Sequence, residues 1–222
     1  MKINIAVSSN NKFVQKTYPI VIGSLIEGGI DSKDIYIFNG HDLDDNKQNI
    51  LNNYYGVNFF NLDYSCFEIN SMLGILDNKL DNCDYWFMLH DTCTVGPRFK
   101  ECIYNFDYGD APTVRIFKYG TANLGAYRYQ HLYNNRDSIY WFKNNFLNFT
   151  VKRMKWEVVM KEDFLHTPQY HYGGDSYRAT LEPFLGSIRR CEYFEHLDLK
   201  KYKANYVGVS DPEGMIVDDL ME

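Results

Sequence analysis

A carboxyl group stands directly after the most apolar segment of this sequence, and that position gives it clear chemical possibilities. Residues 85–89 are apolar throughout and lead into His90, Asp91 and Thr92. A carboxylate held at the end of a buried strand can bind Mg²⁺ or Mn²⁺ while diphosphate oxygens complete the coordination shell. Aspartate also favours turns for backbone reasons alone. Asp91 is therefore either a cation ligand or the residue that opens the turn towards Pro97.

Two adjacent glycines precede a second candidate carboxylate, that of Asp175. Gly173 and Gly174 would let the backbone approach a ligand closely, because glycine has no side chain. We expect a helix to begin here, and a carboxylate at a helix N-terminus is stabilised by the free N–H groups. Asp175 is therefore either an ordinary helix cap or a base that accepts the proton of an attacking hydroxyl group. The residues alone leave both interpretations open.

Several motifs of nucleotide-binding proteins and hydrolases are missing. The turn after the first apolar segment has no G-x-G-x-x-G, and the chain has neither G-x-x-x-x-G-K-[ST] nor G-x-S-x-G. A dinucleotide Rossmann site, a P-loop and a hydrolase nucleophile elbow are therefore not supported. The net charge of −6 argues against a protein that coats nucleic acid or anionic membranes. We expect no nucleic-acid partner.

The cysteines and the lack of long apolar stretches favour a cytoplasmic protein. The chain has five cysteines and no C-x-x-C pair, a pattern that favours reduced thiols. No stretch of 18 apolar residues occurs. We therefore expect neither a membrane span nor a secretory leader.

Short apolar segments alternate with helical patterns in the first half of the chain, which is typical of an α/β fold with a mainly parallel sheet. The expected strands cover residues 3–8, 35–38, 57–62, 85–89 and 113–117. The expected helices run from a cap at Thr17 to Gly28 and cover residues near 45–54, 69–80 and 98–104. Residues 121–129 read as a loop before a short helix, and the chain after residue 135 reads as longer helical segments.

The carboxyl ends of parallel strands meet at one edge of an open α/β sheet, and ligands bind outside that edge. Polar groups fall at three such ends, at residues 8–11, 39–41 and 90–92. The 222 residues are enough for one domain with a core and few for two. The sequence therefore predicts a single domain over residues 1–222 with its site at this edge.

The order of these features resembles that of the GT-A-fold glycosyltransferases. A Ser/Asn-rich turn follows the first strand, an Asp motif follows an apolar strand, a glycine-bearing segment covers residues 123–127, and Gly-Gly-Asp precedes Arg178. The opening region is also similar to small glycosyltransferase domains of large DNA viruses such as chloroviruses, and to bacterial polysaccharide enzymes. The stretches that carry this narrower similarity are residues 9–11, 18–25, 29–30, 35–37 and 39–40. The resemblance as a whole covers residues 3–185.

This resemblance implies a single GT-A-like (Rossmann-like) α/β domain with a mainly parallel central sheet flanked by helices. Residues 1–118 would form the nucleotide-binding half, and residues 119–222 the acceptor-side half with the C-terminal segment. The resemblance further implies a UDP- or GDP-sugar donor, a glycan or glycoprotein acceptor, and Mn²⁺ or Mg²⁺ between the Asp motif and the diphosphate. Asp175 matches the base of inverting members, which implies that transfer inverts the sugar.

The resemblance also assigns residues to the site. The donor-side and acceptor-side positions that match the family are Ser8, Ser9, Asn10, His90, Asp91, Gly125 and Ala126. Asp91 matches the metal ligand. The family often recruits a late histidine as a further ligand for metal or diphosphate. His196 is the one that we predict, and His166 and His171 are the alternatives.

The sequence departs from the family pattern at the Asp motif, because residues 90–92 supply one carboxylate where the family has two. A basic patch near the end of the chain contains Lys200, Lys201 and Lys203. This patch is either a solvated face or, if the C-terminal segment folds over the site, a source of positive charge for the leaving diphosphate.

Two other functions use the same features. Nucleotidyl transfer to a sugar phosphate needs the same crevice and cation, and it would release pyrophosphate from a nucleoside triphosphate. A carbohydrate-binding or scaffold protein without catalysis would explain the single carboxylate and the aromatic content of 17%. Such a scaffold would bind glycan without nucleotide or Mn²⁺.

Overall fold

The structure of the protein is a computed structural model that describes residues 1–11, 13–41, 52, 55–66, 69–116, 124–149, 170–174 and 177–203. Its strands are β1 (Ile3–Asn10), β2 (Ile35–Gly40), β3 (Asn58–Leu62), β4 (Tyr85–His90), β5 (Cys93–Val95), β6 (Thr113–Arg115), β7 (Gly125–Tyr127), β8 (Arg178–Phe184), β9 (Ser187–Phe194) and β10 (Leu199–Tyr202). Its α-helices are α1 (Val14–Glu27), α2 (Asn70–Asp77), α3 (Phe99–Tyr104), α4 (Tyr129–Asn134) and α5 (Arg136–Phe149). The helix expected near residues 45–54 lies almost entirely outside the described residues.

The main sheet has six strands in the order β3-β2-β1-β4-β7-β6. The first four strands of this order run parallel to one another. β7 runs antiparallel to β4, and β6 runs antiparallel to β7. The prediction of an α/β fold with a mainly parallel sheet is therefore confirmed, and the carboxyl ends of β1 to β4 lie at one edge.

β4 lies in the middle of this sheet, beside β1. All six of its residues are buried, and helices and loops cover both faces of the sheet. A strand that is buried on both faces needs apolar side chains at nearly every position, which is the pattern of residues 85–89. β4 ends at His90, so this packing places the next residue, Asp91, at the carboxyl edge.

Helix α1 begins earlier than the sequence predicts. It starts at Val14, so the expectation that Thr17 caps it is wrong. The Thr17 hydroxyl instead donates to the Phe13 carbonyl and to the Asp91 carboxylate, because the helix lies against the strand ends. The C-terminus is as expected, with Gly28 at the cap and Gly29 at φ +86°, a left-handed conformation that favours glycine.

Gly23 offers a direct test of the packing around α1. A Cβ atom at this helical position would meet no atom within 4 Å. We expect Gly23→Ala to raise the free energy of unfolding by about 0.5–1 kcal/mol, because alanine loses less backbone entropy in a helix than glycine does. Urea denaturation measures the change. Gly74→Ala in α2 is the matched variant that should destabilise, since its Cβ would lie 2.1 Å from Cδ1 of Phe38.

A second sheet, in the order β5-β10-β9-β8, is antiparallel throughout. The expectation of helical segments after residue 135 is confirmed for α5 and is wrong for residues 178–202, which are mostly strand. β8 and β9 form a hairpin whose turn residues, Leu185 and Gly186, both have positive φ. That turn geometry matches the twist of a two-stranded hairpin. No helix of the described residues is long and apolar enough to cross a membrane.

Candidate functional site

The carboxyl ends of the parallel strands bring polar residues from distant parts of the chain into register. Ser8 of β1 lies opposite His90 of β4, and Ser9 lies opposite Asn39 of β2. Asn39 in turn lies opposite Asn61 of β3. The sheet edge therefore carries a continuous row of hydroxyl, amide and imidazole groups, as the sequence predicts for residues 8–11, 39–41 and 90–92.

The Asp91 side chain is turned towards the protein and is 9% exposed. Its Oδ2 atom accepts hydrogen bonds from Ser9 Oγ at 2.7 Å and from Thr17 Oγ1 at 3.1 Å. Burial raises the pKa of this carboxyl to about 6, and the two hydroxyl donors oppose that rise to a smaller extent. Asp91 thus joins the ends of β4 and β1 to α1.

A Mn²⁺ or Mg²⁺ ion at this edge would take most of its ligands from diphosphate oxygens and water, with Asp91 as the protein carboxylate that the sequence predicts. Divalent cations of this kind are held by several oxygen ligands, with carboxylates prominent among them. The part of the chain that the structure describes contains no group of three or more His, Cys, Asp or Glu side chains placed to hold a metal ion. Asp91 Oδ2 is also occupied by two protein hydroxyls. The cation remains a prediction, and no chemical step below passes through it.

The histidines predicted as further ligands lie in different surroundings. Nε2 of His196 contacts the Ile116 carbonyl, and its ring lies against Gly174, where a Cβ atom would be 2.5 Å from Nδ1. His171 accepts a hydrogen bond at Nδ1 from the Gly173 N–H at 3.2 Å. His196 therefore packs against the Gly-Gly segment, and His166 lies outside the described residues.

Gly125 and Ala126 do not lie in a loop. Both belong to β7, which is paired with β4 on one side and β6 on the other. Ala126 is fully buried, and Gly125 has φ +134° with the Val114 carbonyl oxygen 2.2 Å from the place of a Cβ atom. The expected loop over residues 121–129 is therefore wrong at these positions, which belong to a strand. Glycine is needed at residue 125 because β6 approaches too closely to leave room for a side chain.

Asp175, the predicted base, lies outside the described residues. The helix expected to begin there is wrong, since Arg178–Phe184 is a strand. Tyr172, three residues before Asp175, is fixed by two hydrogen bonds. The Tyr172 hydroxyl forms a short hydrogen bond with that of Tyr108, and the Tyr172 backbone N–H donates to the Arg115 carbonyl at 2.9 Å.

One group of site residues was not predicted from the sequence. At the start of α2, Asn70 Nδ2 donates to the Ser9 carbonyl at 2.8 Å, and Ser71 Oγ accepts from Ser8 Oγ at 2.9 Å. Asn39 and Asn11, which the sequence does predict at this edge, are joined by a hydrogen bond from Asn39 Nδ2 to Asn11 Oδ1 at 2.5 Å. The signal for the α2 residues was present in the sequence, because Asn and Ser directly precede an apolar helical pattern.

These contacts divide the residues at the end of β1 into two roles. The hydroxyls of Ser8 and Ser9 are bound to Ser71 and Asp91, and both serines are 4% exposed. Asn10 is half-buried at the very end of the strand, as is Asn11 after it. The serines therefore fix the strand end, and the asparagines are the more exposed residues of this turn.

The basic patch is not a simple solvated face. Lys200 Nζ lies 2.6 Å from the Glu182 carboxylate, and Lys203 Nζ lies 3.3 Å from that of Glu192. Lys201 is 9% exposed. The three lysines therefore have different environments, although they are nearly adjacent in sequence.

No protein-family model matches the sequence, and no curated protein matches it. Among solved structures, the chain is similar to the glycosyltransferase GlyE of Streptococcus pneumoniae TIGR4, with 12% identity and a TM-score of 0.51 over 79% of this chain and 46% of that one. It thus spans less than half of the GlyE chain. A cytidylyltransferase from Leptospira borgpetersenii has 14% identity and a TM-score of 0.47, over 79% of this chain and 77% of that one. A glycosyltransferase involved in the glycosylation of the major capsid of PBCV-1 has 11% identity and a TM-score of 0.45, over 78% of this chain and 82% of that one.

The likeness to GlyE, at its low identity, shows the fold alone. That fold is the GT-A-like α/β architecture that the sequence resemblance implies, with a mostly parallel six-stranded sheet flanked by helices.

Proposed function

We propose that this protein is a glycosyltransferase that moves a sugar from a UDP- or GDP-sugar to a hydroxyl group of a glycan or glycoprotein. The observation that carries the proposal is the row of polar residues at the carboxyl ends of β1, β2 and β4 in a sheet of this fold. In open α/β sheets this edge is where ligands bind. The acceptor, the donor and the stereochemistry are part of the proposal.

The polar groups at this edge suit the nucleoside part of such a donor. Asn10 and Asn11 are half-buried and carry uncharged amide groups, a side-chain type that hydrogen-bonds with a base or a ribose, and Asn39 fixes the Asn11 amide oxygen. The hydroxyls of Ser8 and Ser9 donate hydrogen bonds to Ser71 and Asp91 and so fix the position of this turn. Pre-organised polar groups of this kind lower the entropic cost of binding.

The proposed reaction is a substitution at the anomeric carbon of the sugar. The bond from that carbon to the diphosphate oxygen breaks, and its electron pair stays on the oxygen of the departing nucleoside diphosphate. The acceptor hydroxyl oxygen forms the new bond to the same carbon, and its proton passes to a base. Asp175 is the base that we propose, and attack from the face opposite the leaving group would invert the sugar.

A thermal-shift experiment with nucleotide sugars tests the proposal. A donor at about 100 times its Kd should raise the melting temperature by about 5–10 °C, because binding to the folded state alone stabilises by about 2.7 kcal/mol. Asn10→Ala should reduce the shift, whereas Asn58→Ala should not, because Asn58 is the first residue of β3 and lies at the opposite edge of the sheet. If no UDP- or GDP-sugar shifts the wild-type protein, the proposal is wrong.

The same experiment separates the two other functions. A shift with a nucleoside triphosphate and a sugar phosphate, together with release of pyrophosphate, would indicate nucleotidyl transfer. A shift with glycan alone would indicate a carbohydrate-binding scaffold. The buried position of Asp91 is the observation that favours the scaffold, because it leaves the Asp motif without an open carboxylate.

A further inference from the structure

The hairpin of β8 and β9 has one face that changes from buried to exposed along its length. Residues directly opposite in antiparallel strands, and residues two apart in one strand, project to the same face. Leu181 lies opposite Arg190, and Ile188 and Glu192 lie two residues from Arg190 on β9. We call the face that carries these four residues the hairpin face. Glu192 is 3% exposed, whereas Leu181 and Ile188 are 43% and 45% exposed, so the face runs from the interior to an open apolar end.

The buried end of the hairpin face lies close to the carboxyl edge of the main sheet. Lys201 of β10 lies opposite Cys93 of β5 on one side and opposite Glu192 of β9 on the other. Neighbouring strands are about 4.8 Å apart, so Glu192 lies about 10 Å from β5, the strand that follows Asp91. Burial raises the pKa of the Cys93 thiol to about 12, and the charges of Asp91 and Glu192 add to this rise. Glu192 and the Asp motif therefore share one neighbourhood.

The carboxylate of Glu192 has one oxygen with a partner and one without. Oε1 lies 3.3 Å from Lys203 Nζ. Oε2 is buried and accepts no hydrogen bond within the described ranges of the chain. A buried carboxylate oxygen without a donor costs free energy, because its lost hydration is not replaced. The Lys203 side chain is 39% exposed and its stem is flexible, so its displacement can open Oε2 to a ligand that donates a hydrogen bond.

Arg190, the next residue towards the open end, has the opposite need. Its Nη2 donates to the Tyr177 hydroxyl at 3.3 Å, whereas Nε is buried and donates to no acceptor among the described residues. An anion would suit this N–H group and would be repelled by the Glu192 carboxylate, and a cation would do the reverse. A hydroxyl group both donates and accepts hydrogen bonds. A neutral ligand with several hydroxyl groups therefore suits both atoms.

The open end of the hairpin face adds apolar surface beside these polar atoms. Leu181 and Ile188 are both exposed, and Pro183, which lies opposite Ile188, is exposed as well. A sugar ring carries C–H groups on its faces and hydroxyl groups at its rim. Its faces can cover apolar side chains while its hydroxyls pair with a few polar groups, which is the usual composition of a small-molecule site. The hairpin face thus matches a carbohydrate in both respects.

We propose that the hairpin face binds the acceptor glycan, with Glu192 Oε2 accepting a hydrogen bond from one sugar hydroxyl and Arg190 Nε donating to another. The inference rests on the proposed glycosyl transfer and names the surface that holds its acceptor. It also names the substrate class, a neutral glycan. Glu192 binds and orients this glycan, and the proton of the attacking hydroxyl still passes to Asp175, the base proposed above.

Calorimetric titration of neutral gluco-, galacto- and manno-oligosaccharides, with and without saturating UDP or GDP, tests the hairpin face. We expect at least one oligosaccharide to bind the wild type. Glu192→Gln should weaken that affinity by about 10-fold, because an amide oxygen is a weaker acceptor than a carboxylate. The affinity for UDP or GDP should stay unchanged, since the proposed nucleoside contacts lie at the ends of β1 and β2.

Two further variants make this test specific. Glu182→Gln is the matched control, because Glu182 is adjacent to Leu181 on β8 and therefore projects to the other face of the hairpin. It should bind the oligosaccharide like the wild type. Leu181→Ser changes an exposed side chain, so it keeps the test valid if Glu192→Gln does not fold. We expect this variant to bind about fivefold more weakly, because apolar contact surface is lost.

The outcomes separate this inference from the proposed function. Oligosaccharide binding that is equal in the wild type, Glu192→Gln and Leu181→Ser overturns the role of the hairpin face and leaves glycosyl transfer standing. A wild type that binds UDP or GDP and none of the oligosaccharides does the same. Inorganic phosphate or Mn²⁺ binding that is lost in Glu192→Gln also overturns the role, because the ligand is then an ion. Oligosaccharide binding that depends on Glu192, in a protein that binds neither UDP nor GDP, supports the hairpin face and contradicts glycosyl transfer. Selective loss of oligosaccharide binding, with nucleotide binding intact, supports both.

Discussion

Replacing Gly125 by alanine is expected to lower the free energy of unfolding by about 3–5 kcal/mol, because a strained backbone and a steric clash add at one position. Gly125 has φ +134°, a backbone conformation that residues other than glycine rarely adopt. A Cβ atom would lie 2.2 Å from the Val114 carbonyl oxygen and 3.1 Å from the Cα atom of Arg115. These are backbone atoms of the paired strand β6, so they cannot rotate away. Urea denaturation, followed by circular dichroism, measures the loss.

Gly109→Ala is the control for the backbone part of this effect. Gly109 also has a positive φ, +48°, but a Cβ atom there would meet nothing within 4 Å. We expect a cost of about 1 kcal/mol for alanine at this position, since only the conformational strain remains. Equal costs for the two variants would show that β6 and β7 are not in the close contact described above.

Asp91→Asn is expected to change how stability depends on pH. The pKa of this carboxyl is raised to about 6 in the folded protein, from an ordinary value of 3.8. The folded state thus favours the protonated form, so this group stabilises the protein fully below about pH 4, and that stability is lost as the pH rises through 6. The difference amounts to about 3 kcal/mol. Asp91→Asn removes the titration, so its stability relative to the wild type should rise between pH 4 and pH 7.

The groups that face Asp91 determine the size of this effect. Ser9 and Thr17 donate hydrogen bonds to Asp91 Oδ2. The charge of Asp91 also contributes to the raised pKa of the buried Cys93 thiol. Asp137→Asn is the control, because the Asp137 side chain is 95% exposed and its loss should leave the pH profile in place. Chemical denaturation at several pH values gives the comparison. Parallel profiles for Asp91→Asn and the wild type would contradict the buried position of the carboxyl group.

Much of the main sheet could be predicted from the sequence because its signals are local. A strand buried on both faces, such as β4, is apolar at consecutive positions, and its polar end marks the carboxyl edge. The second sheet carries no such signal. Its strands mix charged and apolar residues, and its pairing joins residues far apart in the chain, as Lys201 and Cys93 show. Local patterns do not encode that pairing.

The position of Asp91 was predictable, whereas its orientation was not. The apolar run before it places the residue at the sheet edge. Its side chain turns inward because Ser9 and Thr17 offer hydroxyl donors, and these residues stand 82 and 74 positions away in the sequence. The burial of Lys201 likewise depends on the register between β10 and β5. Contacts between residues so far apart in the sequence determine which side chains of a predicted site face a ligand.

The most direct test of the sugar-transfer proposal is the release of nucleoside diphosphate from UDP- and GDP-sugars, measured with purified wild-type protein and a panel of glycan acceptors. We expect at least one donor to yield its nucleoside diphosphate together with a new glycoside. Asp137→Asn should match the wild type in this assay, and Asp175→Asn should be slower by about 100-fold or more, because it removes the base that we propose for the acceptor hydroxyl. The contrary result is a folded wild-type protein that neither binds nor cleaves any of these donors.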